Sequence, residues 1–147
     1  MKRLGFTVED FKLRHPGGQL GKRLLKVSDI MHTGKAVPLS VCQEPMSEVI
    51  LEMTAKSFGC IAIVSNSKEI LGIITDGDLR RHMSNEILAR CAEEVMTTNP
   101  ATIRPSALAS EAVLLMNEGQ ITNLFVVEDK SVVGIVHIHD CLRAGVE

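Results

Sequence analysis

Tryptophan and tyrosine are absent from the 147 residues, and phenylalanine occurs only four times. A bound base therefore has no aromatic stacking platform to rest on, and backbone edges with aliphatic walls are the expected substitute. No charge sign dominates: 16 Lys and Arg stand against 18 Asp and Glu, a formal net charge of −2. The signs are interspersed along the chain, so the dominant basic face that duplex binding needs is missing and nucleic acid is not an expected partner. No apolar run approaches the roughly 18 residues of a membrane-spanning helix. The opening Met1-Lys2-Arg3-Leu4-Gly5 leads into no signal-peptide core, so a cytoplasmic protein without a membrane partner is expected. The four cysteines, Cys42, Cys60, Cys91 and Cys141, form no Cys-x-x-Cys. A zinc site or disulfide framework needs tighter clustering, which leaves reduced, mostly buried thiols as the expectation.

What the chain does have is apolar content of 45% with 23% charged residues, a composition for one ordinary domain or two small ones. Its core must be built from Val, Ile, Leu, Met and Ala. The chain also repeats itself. Ser47-Glu48 and Met53 recur 63 residues on as Ser110-Glu111 and Met116, and Ile61–Val64 answers to Leu124–Val127 at the same shift. Gly72-Ile73 returns as Gly134-Ile135 and Asp78 as Asp140 at a shift of 62, while Asp29-Ile30-Met31 matches Glu94-Val95-Met96 at 65. Small loop insertions between two copies of one unit produce such a drift.

Periodicity reads alike in both copies. Met46, Val49, Ile50 and Met53 follow helical spacing with one apolar stripe, and so do Ala109, Ala112, Val113 and Met116. Pro45 suits the first turn of the first of these helices. Two short β-branched runs follow in each copy, Cys60–Val64 with Ile70–Ile74, then Asn123–Val127 with Val132–Val136. Polar turns separate them, which predicts strands. A second helix closes each copy near Asp78–Met83 and Asp140–Ala144. With a short strand near Ala36–Pro38 or Ala101–Ile103, each unit reads β-α-β-β-α. A unit this small cannot bury its own apolar face, so two units packed face to face are expected.

These residues resemble a known family. The duplicated unit, led by Asp29-Ile30-Met31 and by Glu94-Val95-Met96, resembles a tandem pair of CBS (cystathionine β-synthase) domains. Gly72-Ile73-Ile74-Thr75-Asp76-Gly77-Asp78-Leu79-Arg80-Arg81 is similar to that family's strand-to-helix signature. The expected fold is α/β (α+β), two repeats forming a pseudo-symmetric pair, with boundaries 27–85 and 91–147. The flanks Phe6–Phe11, His15-Pro16-Gly17-Gly18-Gln19-Leu20-Gly21 and His137–Val146 resemble bacterial arabinose-5-phosphate isomerases, in which an amino-terminal sugar-isomerase domain precedes the CBS pair. Residues 1–26 then read as the junction to that domain. His15 resembles part of a segment carrying a catalytically relevant histidine in intact isomerases, where a base near neutral pH moves a proton between adjacent carbons. No sugar-isomerase domain is expected within these residues, so His15 is not expected to act alone and no catalytic residue is expected among them.

The candidate ligand residues cluster at the strand-to-helix turns. A helix start presents unpaired amides to an anion, a Thr hydroxyl adds a donor, and a carboxylate three residues on can accept from two sugar hydroxyls. Gly-x-x-Thr-x-x-Asp resembles the family's ribose-phosphate motif, which names Thr75, Asp76, Gly77 and Asp78. Ala36, Val37, Cys60, Ile61 and Asn123 complete the expected lining, with His137, His139 and Asp140 in the second copy. The bland alternative is that Thr75 or Asp76 caps the helix and Asp78 is a first-turn acid. His137 stands where Thr75 does in the first copy, so the two clefts should differ. His137 and His139 invite a metal, but two imidazoles without a third ligand make a weak site, and no metal is expected. Arg80 and Arg81 are better placed for phosphate than Lys22, Arg23 or Lys26.

Three functions compete. In the first, a regulatory module senses a nucleotide between the repeats and passes the binding energy to a catalytic neighbour. In the second, the chain is a dimerisation scaffold with a vestigial cleft. A free-standing enzyme is the weakest, because no nucleophile–base pair emerges. The resemblance implies an adenine nucleotide or a cytidine sugar nucleotide such as CMP-Kdo as effector, with no required cofactor. It also implies a parent enzyme interconverting ribulose 5-phosphate and arabinose 5-phosphate for lipopolysaccharide or capsule synthesis, and a homodimer or higher oligomer.

Overall fold

The computed structural model describes residues 24–146. His15 and all but the last three residues of the expected junction segment lie outside them.

Chain order is α1 (Val27–Ile30), β1 (Leu39–Ser40), α2 (Met46–Lys56), β2 (Cys60–Val64), β3 (Ile70–Thr75) and α3 (Asp76–Arg81), then α4 (Ala92–Val95), β4 (Thr97–Thr98), β5 (Thr102–Ile103), α5 (Ala109–Gly119), β6 (Asn123–Glu128), β7 (Ser131–His137) and α6 (Ile138–Arg143). The hairpins and the two long helices fall where periodicity placed them, while the closing helices α3 and α6 begin two residues earlier than expected, at Asp76 and Ile138. Two further expectations shift. The first short strand is Leu39–Ser40, because Gly34–Ala36 forms a 3-10 turn. Pro45 stands at the N-cap of α2, one position earlier than the first turn.

Two sheets form, β1-β2-β3-β4 and β5-β6-β7. In each, the short leading strand runs parallel to the first strand of an antiparallel hairpin. β2 is buried along its whole length. Successive side chains on a strand point to opposite faces. Ile61 and Ile63 therefore pack with Met46, Val49 and Met53 of α2, while Cys60, Ala62 and Val64 face Phe125, Val132 and Ile135 of the other repeat. β6 divides likewise, Leu124 and Val126 packing with Ala109, Ala112 and Met116 of α5. The third core is the seam between the repeats. The hairpin tips join across it, with Val132 N donating to Lys68 O at 3.0 Å and Ser131 Oγ to Ser67 O at 3.2 Å.

The segments leading into the repeats are exchanged. Val27 of α1 is wholly buried with the α5 side of the second repeat, and Val27 N donates to Ala107 O at 2.8 Å. His32 and Ile135 of β7 share two backbone bonds of 2.8 and 3.0 Å. The segment before the second repeat does the reverse. Ala92 and Val95 of α4 are buried with α2 of the first repeat, and β4 pairs with β3. Close approach requires glycine at both crossings. A Cβ on Gly134 would lie 2.8 Å from His32 O and from Met31 Sδ, and one on Gly72 would lie 2.8 Å from Thr97 O and from Met96 Sδ.

Gly134→Ala is therefore expected to lower the unfolding free energy by about 1–3 kcal/mol, because backbone must move to admit the methyl group. In Gly119→Ala the added Cβ meets nothing nearer than Ile121 at 3.5 Å. That change should leave stability unchanged or raise it by up to about 1 kcal/mol. Urea unfolding of the two variants checks this, and equal losses would remove the steric account.

Candidate functional site: the inter-repeat cleft

α2 and α5 both end on a left-handed residue, Ser57 at φ 65° and Gln120 at φ 54°. The following turns, Phe58–Gly59 and Ile121–Thr122, enter the seam from opposite sides. Between them lies a cavity of about 580 Å3, a size suited to a small-molecule ligand. The first repeat contributes Phe58, Gly59, Cys60, Ile73, Thr75, Asp76, Gly77 and Arg80 to its walls, and the second contributes Gly119–Asn123 and Phe125. Thr97 and Asn99–Ala101, from the segment that leads into β5, close the remaining side. Two of the four phenylalanines line this space, which corrects the expectation of purely aliphatic walls.

The cationic chemistry sits at the start of α3. A Cβ added to Gly77 would lie 3.6 Å from Arg81 Nη1 and 4.0 Å from Arg80 Nη2, so both guanidinium groups flank this turn. The amides of Asp76 and Asp78 are already used, donating to Gly59 O at 3.1 Å and to Thr75 Oγ1 at 3.2 Å. Arg80, which lines the cavity, is the group best suited to an anionic substituent.

Asp78 does not face the cavity as a free acceptor. It is 2% exposed, and its carboxylate accepts from Thr75 N at 2.9 Å, Thr75 Oγ1 at 3.1 Å, Thr97 Oγ1 at 2.8 Å and the Arg81 guanidinium. Its capacity is filled by the protein. The expectation of two sugar hydroxyls on Asp78 is thus replaced, in this state, by a capping box with Thr75. Burial alone would raise its pKa, but these donors together hold it below the usual carboxylate range.

Asp140 occupies the equivalent place in the second repeat. It accepts from His137 N at 2.8 Å and Arg143 Nη2 at 2.6 Å, and both of its oxygens lie 3.0–3.1 Å from His32 Nε2. His32 takes the position of Thr97. Despite burial, the His137 amide and His32 hold the Asp140 pKa low. His137 Nδ1 accepts from His139 N at 3.0 Å, and the two rings stack with centroids 4.7 Å apart. Burial and the neighbouring His139 lower the pKa of His137. Among the described residues, no group of three or more His, Cys, Asp or Glu side chains is placed to hold a metal ion.

The expected site residues therefore divide. Thr75, Asp76, Gly77, Cys60 and Asn123 meet at the cavity. His137, His139 and Asp140 form the second cluster with His32. Val37 and Ile61 are corrected to packing residues, 6% and 0% exposed, Val37 in the seam and Ile61 on the helix side of β2. Ala36 lies exposed in the 3-10 turn. Sequence reasoning missed Phe58, Gly59, Ile73, Thr97, Asn99–Ala101, Gly119–Thr122 and Phe125; the Asn99-Pro100 dipeptide was a turn signal available for one of these stretches. Cys60 and Cys141 are buried, and burial pushes the Cys60 thiol up to about 12, while Cys42 and Cys91 are half-buried.

Residues 27–85 and 92–147 match the CBS domain family, and the chain belongs to that family. The chain is 44% identical over 149 aligned positions to the arabinose 5-phosphate isomerase KdsD of Salmonella typhi, covering 99% of this chain and 45% of that enzyme. It thus spans about half the length of the curated relatives it matches. Among solved structures, a putative acetoin utilization protein (AcuB) from Vibrio cholerae is 25% identical with a TM-score of 0.73, covering 83% of this chain and 90% of its own. CBSX2 in complex with AMP, 19% identical, has the same fold with a TM-score of 0.72 over 82% of this chain and 96% of its own. Among the described residues, no helix is long and apolar enough to cross a membrane.

A carboxylate whose folded pKa lies below its unfolded value stabilises the fold above the unfolded pKa, and that contribution is lost as pH falls through the folded pKa. Unfolding free energy should accordingly fall as pH drops below about 4. The Asp78→Asn and Asp140→Asn variants should each lose about 1–3 kcal/mol at neutral pH and show a flatter acid limb. An unchanged limb would remove the capping account.

Proposed function

We propose that this chain is a ligand-sensing regulatory module that binds a nucleotide between its repeats. The observation that carries the proposal is the cavity of about 580 Å3 with Phe58, Ile73, Ile121, Phe125 and Arg80 on its walls. Apolar walls suit a base, and the Arg80 guanidinium suits a phosphate. That AMP is bound by CBSX2, a protein of the same fold, makes an adenine nucleotide one candidate. The likeness to KdsD makes a cytidine sugar nucleotide such as CMP-Kdo the other, as feedback by a later product of arabinose 5-phosphate.

In this account the chain is the carboxy-terminal part of an arabinose-5-phosphate isomerase that serves lipopolysaccharide or capsule synthesis. The sugar-isomerase domain precedes it and supplies the catalysis. A second reading, a dimerisation scaffold, is favoured by Leu51 and Leu114, which are 63% and 55% exposed at equivalent places on α2 and α5. The two readings are compatible in a dimer.

Calorimetric titration with AMP, ATP, CMP and CMP-Kdo tests the proposal. At least one should bind, and Arg80→Ala should weaken it about 5–10-fold through loss of one charge-assisted contact. No binding by any of the four leaves the scaffold reading. Light scattering at tens of micromolar protein should report a dimer, and a monomeric mass would remove the oligomer.

A further inference from the structure

We infer that His32 couples the inter-repeat cavity to the segment leading into the first repeat, with Phe58 as the contact between them. This rests on the cavity being a nucleotide site.

Phe58 lines the cavity. Its carbonyl accepts from Asn123 Nδ2 at 2.9 Å, which holds the turn against the second repeat. Its ring meets the His32 ring edge-on, with centroids 5.2 Å apart and planes at 65°. Anything that presses on the cavity side of Phe58 therefore reaches His32 directly. His32 does not itself line the cavity.

His32 is also the side chain that ties its segment to α6. Its Nε2 lies 3.0 and 3.1 Å from the two oxygens of Asp140, which is buried, while the His32 side chain is 40% exposed. The rest of the docking is carried by Val27, wholly buried, with Leu25, Ile30 and Met31 packed against the same core, and by backbone bonds to Pro105, Ala107, Ala109 and Ile135. Local opening of this lead segment, with the repeats still paired, gives the docked and undocked forms that coupling requires.

The opposite crossing differs in a way that assigns direction. Thr97 reaches Asp78 as His32 reaches Asp140, but the chain before Thr97 runs back through α4 only to the first repeat. His32 belongs to the stretch that continues toward residue 1, the side on which a preceding domain would attach. A nucleotide packed against Phe58 holds that ring on His32, His32 stays on Asp140, and residues 25–36 stay docked. Occupancy of the cavity thereby stiffens the path to whatever precedes. Coupling is reciprocal, so undocking must weaken the nucleotide by the same factor that the nucleotide strengthens docking.

The test combines calorimetry with amide hydrogen exchange on the full 147-residue chain, using the tightest binder of AMP, ATP, CMP and CMP-Kdo. Saturation should slow exchange across residues 27–36 about 5–10-fold. His32→Ala should remove that slowing and weaken the same nucleotide by a comparable factor, although the residue lies outside the cavity. Phe58→Leu, which keeps an apolar wall but not the ring contact, should speed exchange across 27–36 without ligand, whereas His32→Gln, which keeps a donor for Asp140, should fall between wild type and His32→Ala. Binding with no change across 27–36, or His32→Ala with unaltered affinity, overturns the coupling and leaves the cavity as a nucleotide site. Failure of all four nucleotides to bind overturns both.

Discussion

The exchange of lead segments across the seam is the constraint from which the rest of the structure follows. Each repeat has a sheet whose outer strand would be open to solvent, and the backbone preceding the other repeat covers it. Glycine stands at both crossings because the carbonyls of His32 and Thr97 approach to distances that leave no room for a Cβ. Once the segments are crossed, the two units cannot separate without exposing Val27, Ala92 and Val95, all essentially buried. The pair is therefore the folding unit.

That crossing also decides the electrostatics of the cleft. Two carboxylates, Asp78 and Asp140, sit at equivalent helix starts, and each is finished by a donor from a crossed segment, Thr97 for one and His32 for the other. The buried charges are thereby satisfied by four donors to Asp78 and by the His137 amide, Arg143 and His32 at Asp140. A hydroxyl and an imidazole differ in reach and bulk, so the two halves of a duplicated unit become chemically distinct at one position. The first of these turns borders a cavity lined in part by Arg80, while the second carries a stacked pair of imidazoles, His137 and His139, beside its carboxylate.

Much of this was legible in the residues. Helical spacing identified the buried faces of α2 and α5, and the short β-branched run Cys60–Val64 marked a strand, whose burial on both faces only the structure shows. The shift of 62 to 65 residues revealed the duplication. The crossing was not legible, because a repeat offset says which segments correspond and nothing about which copy a segment packs on. Gly72 and Gly134, glycines inside otherwise β-branched strands, were the available sign of close backbone approach. Asp78 illustrates the other limit: a carboxylate three residues after a Thr serves equally as a cap partner or a ligand acceptor, and only the position of Thr97 decides between them in this state. The aromatic walls were hidden for a simpler reason, since the low Phe count says nothing about where Phe58 and Phe125 converge.

The central claim is that the seam holds a nucleotide between the two repeats. Backbone amide shifts recorded by NMR during titration with AMP and with CMP-Kdo test it most directly. The account predicts that the largest changes fall together on Phe58–Cys60, Ile73–Arg80, Asn99–Ala101 and Ile121–Asn123, the segments that converge on the cavity. Changes confined to the outer faces of α2 and α5, or none with either nucleotide, would contradict it.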